Sequence, residues 1–403
     1  MQKTMMILGA GPLQLPAIKK AKELGYRLIL VDYDEQAVGF PLADIKLVVS
    51  TLDQEEVYRQ ALIYQPDVVL TSTSDGPVRT AAYVNEKLGK QPDLAYEDAV
   101  CATMKNQMRD RLREKGIPIP AYFAVKNFEE FKEAVDKLDG FCMVKPSDSA
   151  GSRGVILLRG EEDLSQVYEY SRSCSRNGIL MVEEFMEGPE VSVEAITVKG
   201  QTTILTITDK WITPPPYFVE LAHSEPSRLE EGVQEKIREI TLQAVKAIGI
   251  VNAPSHTEIK VTSEGPKIVE VAARLGGDFI TSRLVPLSTG VDMVENSLLL
   301  AIGEQVDLTP KKQQGAAICF LGSENIQEEI QKGKVLHSME ADPQIYQIEG
   351  IEEVVLYKKP GETIKETQSS HDRLGHVIAT GKDAQEAMER AKRAISMIQI
   401  KII

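Results

Sequence analysis

The chain has 403 residues, a net charge of −14 and 42% hydrophobic residues, which is the composition of an ordinary globular protein with roughly two to four domains. The acidic excess argues against a nucleic-acid or anionic-membrane surface, because phosphate binding requires surplus lysine and arginine. The four cysteines form no C-x-x-C pair, which favours free thiols in a reducing cytosol. No apolar run approaches the length of a membrane span and no signal-peptide pattern opens the chain, so we expect a cytoplasmic protein.

Residues 1–100 alternate between strand and helix patterns. Short connections between such elements predict a parallel sheet covered by helices, and therefore an α/β domain. The predicted strands are 5–9, 28–32, 45–49 and 68–71, and the predicted helices are 13–24, 53–64 and 77–88.

The rest of the chain reads as two further units of α+β type. Residues 101–306 contain a possible nucleotide lobe at about 141–190, and residues 307–403 are strand-rich with a closing helix over 383–397. Between these ends the predicted helices are 105–115, 128–138 and 229–248, and the predicted strands are 122–125, 141–145, 179–183, 190–198 and 203–208.

The first strand runs into Gly9-Ala10-Gly11-Pro12-Leu13-Gln14, which is part of a dinucleotide-binding pattern, and Asp32 ends the second strand where a ribose acceptor would lie. The third glycine of that pattern is replaced by Gln14, and Pro12 removes a backbone N–H. NAD binding is therefore a minor alternative to a tight turn that faces another ligand. Asp75 follows the fourth strand at the sheet edge where ligands bind, or else begins a helix as its N-cap.

Residues 145–155, with the sequence KPSDSAGSRGV, form a small-residue loop between two predicted strands. Small side chains let backbone N–H groups approach phosphate oxygens, and Lys145 supplies a charge for a phosphate. The order of residues is not that of a Walker loop, and a mobile hairpin loop is the alternative. Residues 180–194 combine an apolar strand, a connector and a second strand, which would offer backbone groups to an adenine edge and Glu190 to ribose hydroxyls; a hairpin with solvated glutamates is the alternative.

A hairpin pattern over residues 256–274 carries the strongest candidate site. Two β-rich runs flank a Ser-Glu-Gly-Pro turn, and Glu258 and Glu270 stand equally far from Glu264 in that turn. If the arms pair about this point, the two carboxylates face each other with Cβ atoms roughly 5 Å apart. Such oxygen ligands suit Mg²⁺, which takes one or two protein carboxylates together with phosphate oxygens. Arg274 would hold an anion beside the metal; a hairpin whose glutamates point into water is the alternative.

In this order, the motifs resemble the ATP-grasp superfamily over essentially the whole chain. They are G-I-P-I-P after the 105–115 helix, V-K-P-S-D-S-A-G-S-R-G-V, V-E-E-F-M-E-G-P-E-V-S-V-E, H-T-E-I-K and E-V-A-A-R-L-G-G-D. The resemblance implies a Rossmann-like pre-ATP-grasp domain, a two-lobed ATP-grasp domain and a strand-rich C-terminal domain. The segment D-R-L-G-H-V-I looks like the C-terminal domain of the carboxylate–amine ligase branch.

The resemblance also implies roles for individual residues. Arg274 and Glu270 would be catalytic, and Glu258 and Glu270 would bind Mg²⁺, with Mn²⁺ as a substitute. Asp75, His223, His256, Gly276 and Gly277 are candidate substrate contacts. The residues that would hold ATP are Lys105, Lys145, Ser149, Gly151, Ser152, Gly154, Glu183, Glu184, Phe185, Met186 and Glu190.

One position departs from the family pattern. Many relatives place an asparagine two residues after the second metal glutamate, and this chain has Ala272 there. The change resembles the amino-acid-ligase side of the family. Lys210, Trp211 and Tyr217 are further candidates to line an acceptor pocket, although Trp211 also suits the core.

The predicted function is an ATP-dependent ligase that joins small carboxylates and amines through an acyl phosphate, with amino acids as candidate substrates and a homodimer as a family expectation. An enzyme like phosphoribosylglycinamide synthetase or carbamoyl-phosphate synthetase is the first alternative. A nucleotide-binding sensor without turnover is the second, and Ala272 keeps it open.

Overall fold

The structure of the protein is a computed structural model that describes residues 2–90, 94–149, 151, 153–215, 217–326 and 334–403. Ser152, a predicted nucleotide contact, lies outside these residues. Among the described residues, no helix is both long enough and apolar enough to cross a bilayer.

The N-terminal unit is a four-stranded parallel sheet in the order β3-β2-β1-β4. Every residue of β1 is buried, as expected for a parallel strand covered on both faces. Its elements are β1 (Thr4–Leu8), α1 (Leu15–Glu23), β2 (Arg27–Asp32), β3 (Ile45–Val48), α2 (Gln54–Tyr64), β4 (Val68–Leu70) and α3 (Gly76–Lys87). The predicted alternation of strand and helix is confirmed.

A small antiparallel sheet follows, in the order β5-β8-β6-β7. Helices α6 and α7 cover one of its faces with apolar side chains. The elements of this part are α4 (Tyr96–Thr103), α5 (Lys105–Glu114), β5 (Tyr122–Val125), α6 (Phe128–Lys137), β6 (Phe141–Pro146), β7 (Ile156–Arg159), α7 (Leu164–Ser173) and β8 (Leu180–Glu184). Helices α4 and α7 were not predicted from the sequence.

The remaining chain builds a large eight-stranded sheet in the order β13-β12-β9-β10-β11-β14-β17-β16 and a two-stranded sheet of β15 and β18. The first elements are β9 (Glu190–Val198), β10 (Gln201–Ile212), β11 (Glu220–Glu225), α8 (Glu231–Ile248), β12 (Ala253–Thr262), β13 (Gly265–Ala272), α9 (Val285–Thr289) and α10 (Met293–Ala301). The last elements are β14 (Gly315–Leu321), β15 (Leu336–Ala341), β16 (Ile351–Leu356), β17 (Gly375–Gly381), α11 (Ala384–Ile395) and β18 (Ile398–Ile402).

The two faces of the large sheet differ in chemistry. Because side chains alternate along a strand, Val191 and Val193 of β9 face α8 and share a core with it. The intervening residues Glu190, Ser192 and Glu194 face the opposite way. We call this second face the cleft face. The predicted combination of α/β and α+β units is confirmed.

Candidate functional site

The two predicted metal glutamates are direct partners across the β12–β13 hairpin. The register pairs Glu258 with Glu270. Near the turn, Thr262 pairs with Gly265 and Ile259 pairs with Ile268, so the register shifts by one residue before the glutamates are reached. A bulge at Val269 therefore brings Glu270 opposite Glu258, with both side chains on the cleft face.

Each of these glutamates already has a cationic neighbour. Lys210 Nζ lies 2.8 Å from Glu258, and Lys105 Nζ lies 3.4 Å from Glu270. Burial would raise the pKa of Glu258, but Lys210 and His256 hold it well below its ordinary value. Glu258 is therefore anionic at neutral pH.

Two opposed carboxylates fit the oxygen donors that Mg²⁺ prefers. Within the described residues, there is no group of three or more His, Cys, Asp or Glu side chains arranged to hold a metal. A metal at Glu258 and Glu270 would thus complete its coordination with water or phosphate oxygens. Ala272 is buried opposite His256, where it supplies no ligand.

Lys210 of β10 links the metal pair to the predicted ribose carboxylate. Its ammonium group is almost fully buried and lies 2.6 Å from Glu190 as well as 2.8 Å from Glu258. Lys260 adds a second cation, 3.2 Å from Glu190. Glu190 therefore reaches the same charged row of the cleft face as Glu258.

Lys105, the first residue of α5, connects the predicted flap at residues 149–154 with strand β13. Lys105 Nζ donates to the carbonyl of Ser149 at 2.8 Å while it also contacts Glu270. Gly151 is exposed, whereas Gly154 is buried against Pro146 and Cys174, where a Cβ atom would come within 2.8 Å of both. Lys105 thus connects the loop of the small sheet with the hairpin of the large sheet.

Lys145 and Glu183 form a buried ion pair at 2.6 Å. Arg109 of α5, with no exposed surface, holds the same carboxylate through Nε at 2.9 Å and a second nitrogen at 3.2 Å. Arg109 also donates to the carbonyl of the bulged Val269 at 2.9 Å. Helix α5 therefore supports this part of β13 in two ways. Lys105 contacts Glu270, and Arg109 holds the backbone of the bulge.

The connector between the two sheets starts at Glu184. Its carboxylate lies 2.9 Å from Lys267 of β13, and its backbone N–H donates to Ala121. Phe185 contacts the rings of Phe141 and Phe218, with centroids 5.3 Å and 6.5 Å away. Met186 follows and is half-buried. The backbone of Glu183 and Glu184 is paired with neighbouring strands on both sides.

Arg274 is held by Asp75 of the N-terminal unit. Arg274 Nε lies 2.8 Å from one oxygen of Asp75, and a terminal nitrogen lies 3.1 Å from the other. The next residue is also tied to the N-terminal unit, because Leu275 N–H donates to the carbonyl of Ser72. Asp75 thus begins α3 without capping it through its side chain and contacts the predicted catalytic arginine instead.

Gly276 closes over His256. A Cβ atom on Gly276 would lie 2.7 Å from His256 Nδ1 and 2.8 Å from Glu194, so only glycine fits there. Gly277 is half-buried and open on that side. His256 itself bridges Glu194, at 2.7 Å, and Glu258, at 3.5 Å.

His223 belongs to a second charged group on the cleft face. Its Nε2 lies 3.3 Å from Asp278, which also forms a two-point ion pair with Arg373 at 2.9 Å for both contacts. Arg373 reaches Glu220 at 3.2 Å and stacks on the Phe320 ring. This group joins β11, the segment after β13 and a residue two positions before the start of β17.

The remaining candidates from the sequence lie around these two groups. Tyr217 accepts a hydrogen bond from Gln368. Trp211 is partly buried and packs against the C-terminal apolar core, with the Arg228 cation over its ring. The Asp32 carboxylate accepts hydrogen bonds from the backbone of Ala10 and Asp34, so it stabilises the N-terminal loops.

Sequence reasoning missed Arg109, Glu194, Asp278 and Arg373, and it did not anticipate that Lys210 bridges two glutamates. Arg109 lies four residues after Lys105 on the same helix, and this spacing places both on one face. The strand alternation Glu190, Ser192, Glu194 also carried a usable signal for Glu194. The pairing of Asp278 with Arg373 joins residues 95 positions apart and left no local pattern.

Two parts of the chain match family models of known protein domains. A family model of the ATP-grasp domain matches residues 138–282. The chain contains an ATP-grasp domain. A model of L-amino acid ligase C-terminal domain 2 matches residues 331–402, which confirms the predicted resemblance.

Individual proteins resemble this chain as well. The alanine–anticapsin ligase of Bacillus subtilis (strain 168) is 27% identical over 63% of this chain and 58% of its own length. The formate-dependent phosphoribosylglycinamide formyltransferase of Saccharolobus solfataricus is 25% identical over 99% of this chain and 97% of its own. The crystal structure of an L-amino acid ligase from Bacillus licheniformis covers 99% of this chain and 98% of its own with a TM-score of 0.83 and 20% identity, and so shows the shared fold. The chain spans only 58–60% of the length of several curated relatives that it matches.

Proposed function

We propose that this protein is an ATP- and Mg²⁺-dependent ligase that joins a small carboxylate to an amine, with amino acids as substrates. The observation that carries the proposal is the register pair of Glu258 and Glu270, with Lys105 contacting Glu270 and the flap carbonyl together. The arrangement supplies two metal ligands beside cations for phosphate groups. The sequence relatives and the ligase C-terminal domain support the same reaction class.

Chemically, a carboxylate needs activation before an amine can displace its oxygen. A carboxylate oxygen of the first substrate attacks the γ-phosphorus of ATP, and the bond from that phosphorus to the β–γ bridging oxygen breaks. ADP is released, and the substrate now carries the phosphoryl group as an acyl phosphate. The amine nitrogen then attacks the acyl carbon, phosphate leaves with its oxygen, and the nitrogen loses a proton. Mg²⁺, when held by Glu258 and Glu270, neutralises phosphate charge.

The protein's own residues position the substrates and neutralise their negative charge. Lys105 and Lys145 would attract the ATP phosphates, and Arg274 would stabilise the charge of the transferring phosphoryl group or of the acyl phosphate. Ser149, Gly151 and their neighbours would cover the reaction, which protects the acyl phosphate from water.

For nucleotide binding, we propose that the connector from Glu183 to Met186 borders the adenine and that Glu190 contacts the ribose. The half-buried side chains of Phe185 and Met186 on this connector and the approach of Lys210 to both Glu190 and Glu258 support this arrangement. We propose Mg²⁺ as the natural ion, Mn²⁺ as a functional substitute, and a homodimer as the assembly.

The full-length match to a phosphoribosylglycinamide enzyme makes a phosphorylated ribosylamine the second candidate substrate. In the described part of the cleft face around β11 and β17, Arg373 is paired with Asp278 and Glu220, and Arg283 with Glu353. These arginines are candidate partners for a substrate phosphate or for an amino-acid carboxylate. Including phosphorylated and unphosphorylated amines in the substrate panel separates the two candidates.

The test is ADP release from ATP and Mg²⁺ with a panel of carboxylates and amines, singly and in pairs. Glu270→Gln is the inactive variant, and Glu264→Gln, at the exposed turn of the same hairpin, is the matched control. Release that requires one pair of substrates and is lost only in Glu270→Gln supports the ligase. Nucleotide binding without release for any pair supports a sensor.

A further inference from the structure

Glu194 is a fully buried carboxylate that faces the cleft beside the metal pair. One of its oxygens accepts a hydrogen bond from the Ser192 hydroxyl at 3.0 Å and lies 2.7 Å from His256 Nδ1. Its other oxygen has no hydrogen-bond partner among the described residues. A charge in this position is costly to bury, so a structural role in the core does not by itself explain it.

His256 extends the contact from Glu194 toward the metal pair. Its Nδ1 faces Glu194, and its Nε2 lies 3.5 Å from the nearer oxygen of Glu258. A carboxylate on one ring nitrogen fixes the direction in which the other nitrogen points. Contacts therefore lead from the buried Glu194 through His256 to Glu258, which is a candidate metal ligand.

We propose that Glu194 is a positioning residue that orients Glu258 for metal binding through His256. The inference rests on the proposed function for the presence of a metal between Glu258 and Glu270. Residues behind a metal ligand commonly change metal affinity by about 10- to 100-fold when they are replaced.

Packing holds the His256 ring in this orientation. The backbone of Gly276 closes over one edge, where a Cβ atom would overlap both His256 and Glu194. Across the hairpin, Ala272 is the register partner of His256 and is itself buried. The ring therefore lies between a backbone segment and a small side chain, and Glu194 provides the hydrogen-bonding partner on its Nδ1 side.

Glu225 offers a matched control for the loss of a buried acid. It lies on β11, which is separated from β9 by β10, and it has no exposed surface. The side chains that face its carboxyl group include Thr206 and Ser288. The carboxylates that contact His256 are those of Glu194 and Glu258, so Glu225 is not part of this chain of contacts. Burial and the nearby Glu194 raise the pKa of Glu225 well above its ordinary value. A change at Glu225 thus removes a buried acid of the same size from the same region while the contact between Glu194 and His256 is kept.

The experiment measures Mn²⁺ binding by electron paramagnetic resonance in the presence of saturating ADP, without carboxylate or amine. We expect Glu194→Met to weaken Mn²⁺ binding by about tenfold or more. Glu194→Gln keeps an oxygen that accepts from His256 and should recover most of the affinity, whereas Glu225→Met should retain wild-type affinity. If Glu194→Met fails to fold, His256→Asn tests the same idea, because it removes the imidazole that connects Glu194 to Glu258. We expect it to weaken Mn²⁺ binding by a similar factor.

The outcomes separate this inference from the proposed function. Wild-type Mn²⁺ affinity in both Glu194→Met and His256→Asn, with binding lost in Glu258→Ala, would overturn the positioning role alone. Equal weakening in Glu194→Met and Glu225→Met would also overturn it, because the effect would then follow from any lost buried acid. Metal binding with the expected pattern but no ligase turnover would support the positioning role and count against the proposed function.

Discussion

Asp75 and Arg274 form a two-point ion pair between the N-terminal unit and the segment that follows the β12–β13 hairpin, with contacts of 2.8 Å and 3.1 Å. Burial alone would raise the pKa of Asp75, but the guanidinium of Arg274 holds it below its ordinary value. The charge of the predicted catalytic arginine is therefore oriented by a residue from a different unit of the fold.

Replacing Asp75 with asparagine should lower kcat/KM of the ligase because Arg274 loses the carboxylate that fixes its direction. A small displacement of such a group costs about 100-fold in rate. Steady-state ADP release with the identified substrate pair measures the change. Asp307→Asn, which removes an exposed ion pair with Lys311, is the control. Unchanged kinetics in Asp75→Asn would show that Arg274 does not need this partner.

Glu270→Gln should reduce turnover by roughly 100- to 1,000-fold, because one of two charged ligands is removed from the site that neutralises phosphate. Glu264→Gln on the same hairpin should keep wild-type turnover, since its carboxylate is exposed and pairs with Lys267. The comparison is made at saturating ATP over a series of Mg²⁺ concentrations. Similar activity in the two variants would place the metal elsewhere.

Lys210→Met should make the stability of the protein depend on divalent metal. The substitution leaves Glu190 and Glu258 without their shared ammonium group, and two carboxylates that lose a counter-charge repel each other. We expect the melting temperature of this variant to fall in a chelator and to recover with Mg²⁺ by a larger amount than in the wild type. A Mg²⁺ effect equal to that of the wild type would contradict the prediction, and Lys311→Met provides the surface control.

Glu183 should make stability fall in acid. Burial raises the pKa of Glu183, but Arg109 and Lys145 lower it further, from 4.5 to about 2. The carboxylate thus stabilises the fold fully above the unfolded pKa near 4.5, and this contribution is lost as the pH falls from there toward 2. The shift corresponds to about 3 kcal/mol in the free energy of unfolding.

Urea unfolding at pH 7, 5 and 4 tests this dependence. Glu183→Gln should destabilise the protein by about 3 kcal/mol or more at pH 7, because Arg109 and Lys145 remain buried without their partner. Its stability should also change less between pH 5 and 4 than that of the wild type. Parallel pH curves for wild type and variant would assign the acid sensitivity to other groups. Glu264→Gln again serves as the exposed control.

The sequence predicted the elements whose patterns are local. The alternation of strands and helices in the N-terminal unit and the pairing of Glu258 with Glu270 were both readable from spacing. The pairing was nevertheless right for an incomplete reason: the turn is centred between Ser263 and Glu264, and the bulge at Val269 makes up the difference. A bulge of one residue has no strong sequence signal here.

Side-chain partners at long range could not be predicted. Lys210 reads as one polar position on a strand, yet it lies between two glutamates from β9 and β12. Asp75 reads as a helix cap, yet its carboxylate reaches Arg274, 199 residues later. Such contacts follow from how sheets pack together, and a single sequence records only that polar residues occur at these positions. The roles of individual site residues therefore stay predictions.

The eight-stranded sheet also limits how the molecule can be divided. Backbone hydrogen bonds run without a break from β13, which carries Glu270, through β11 to β14, β17 and β16. Cutting the chain at residue 306 would remove three neighbouring strands and leave β11, with His223 and Glu225, as a newly formed raw edge open to aggregation. For this protein, the units recognised by sequence are thus not separable pieces for expression, and a soluble fragment for biochemistry would need the sheet in full.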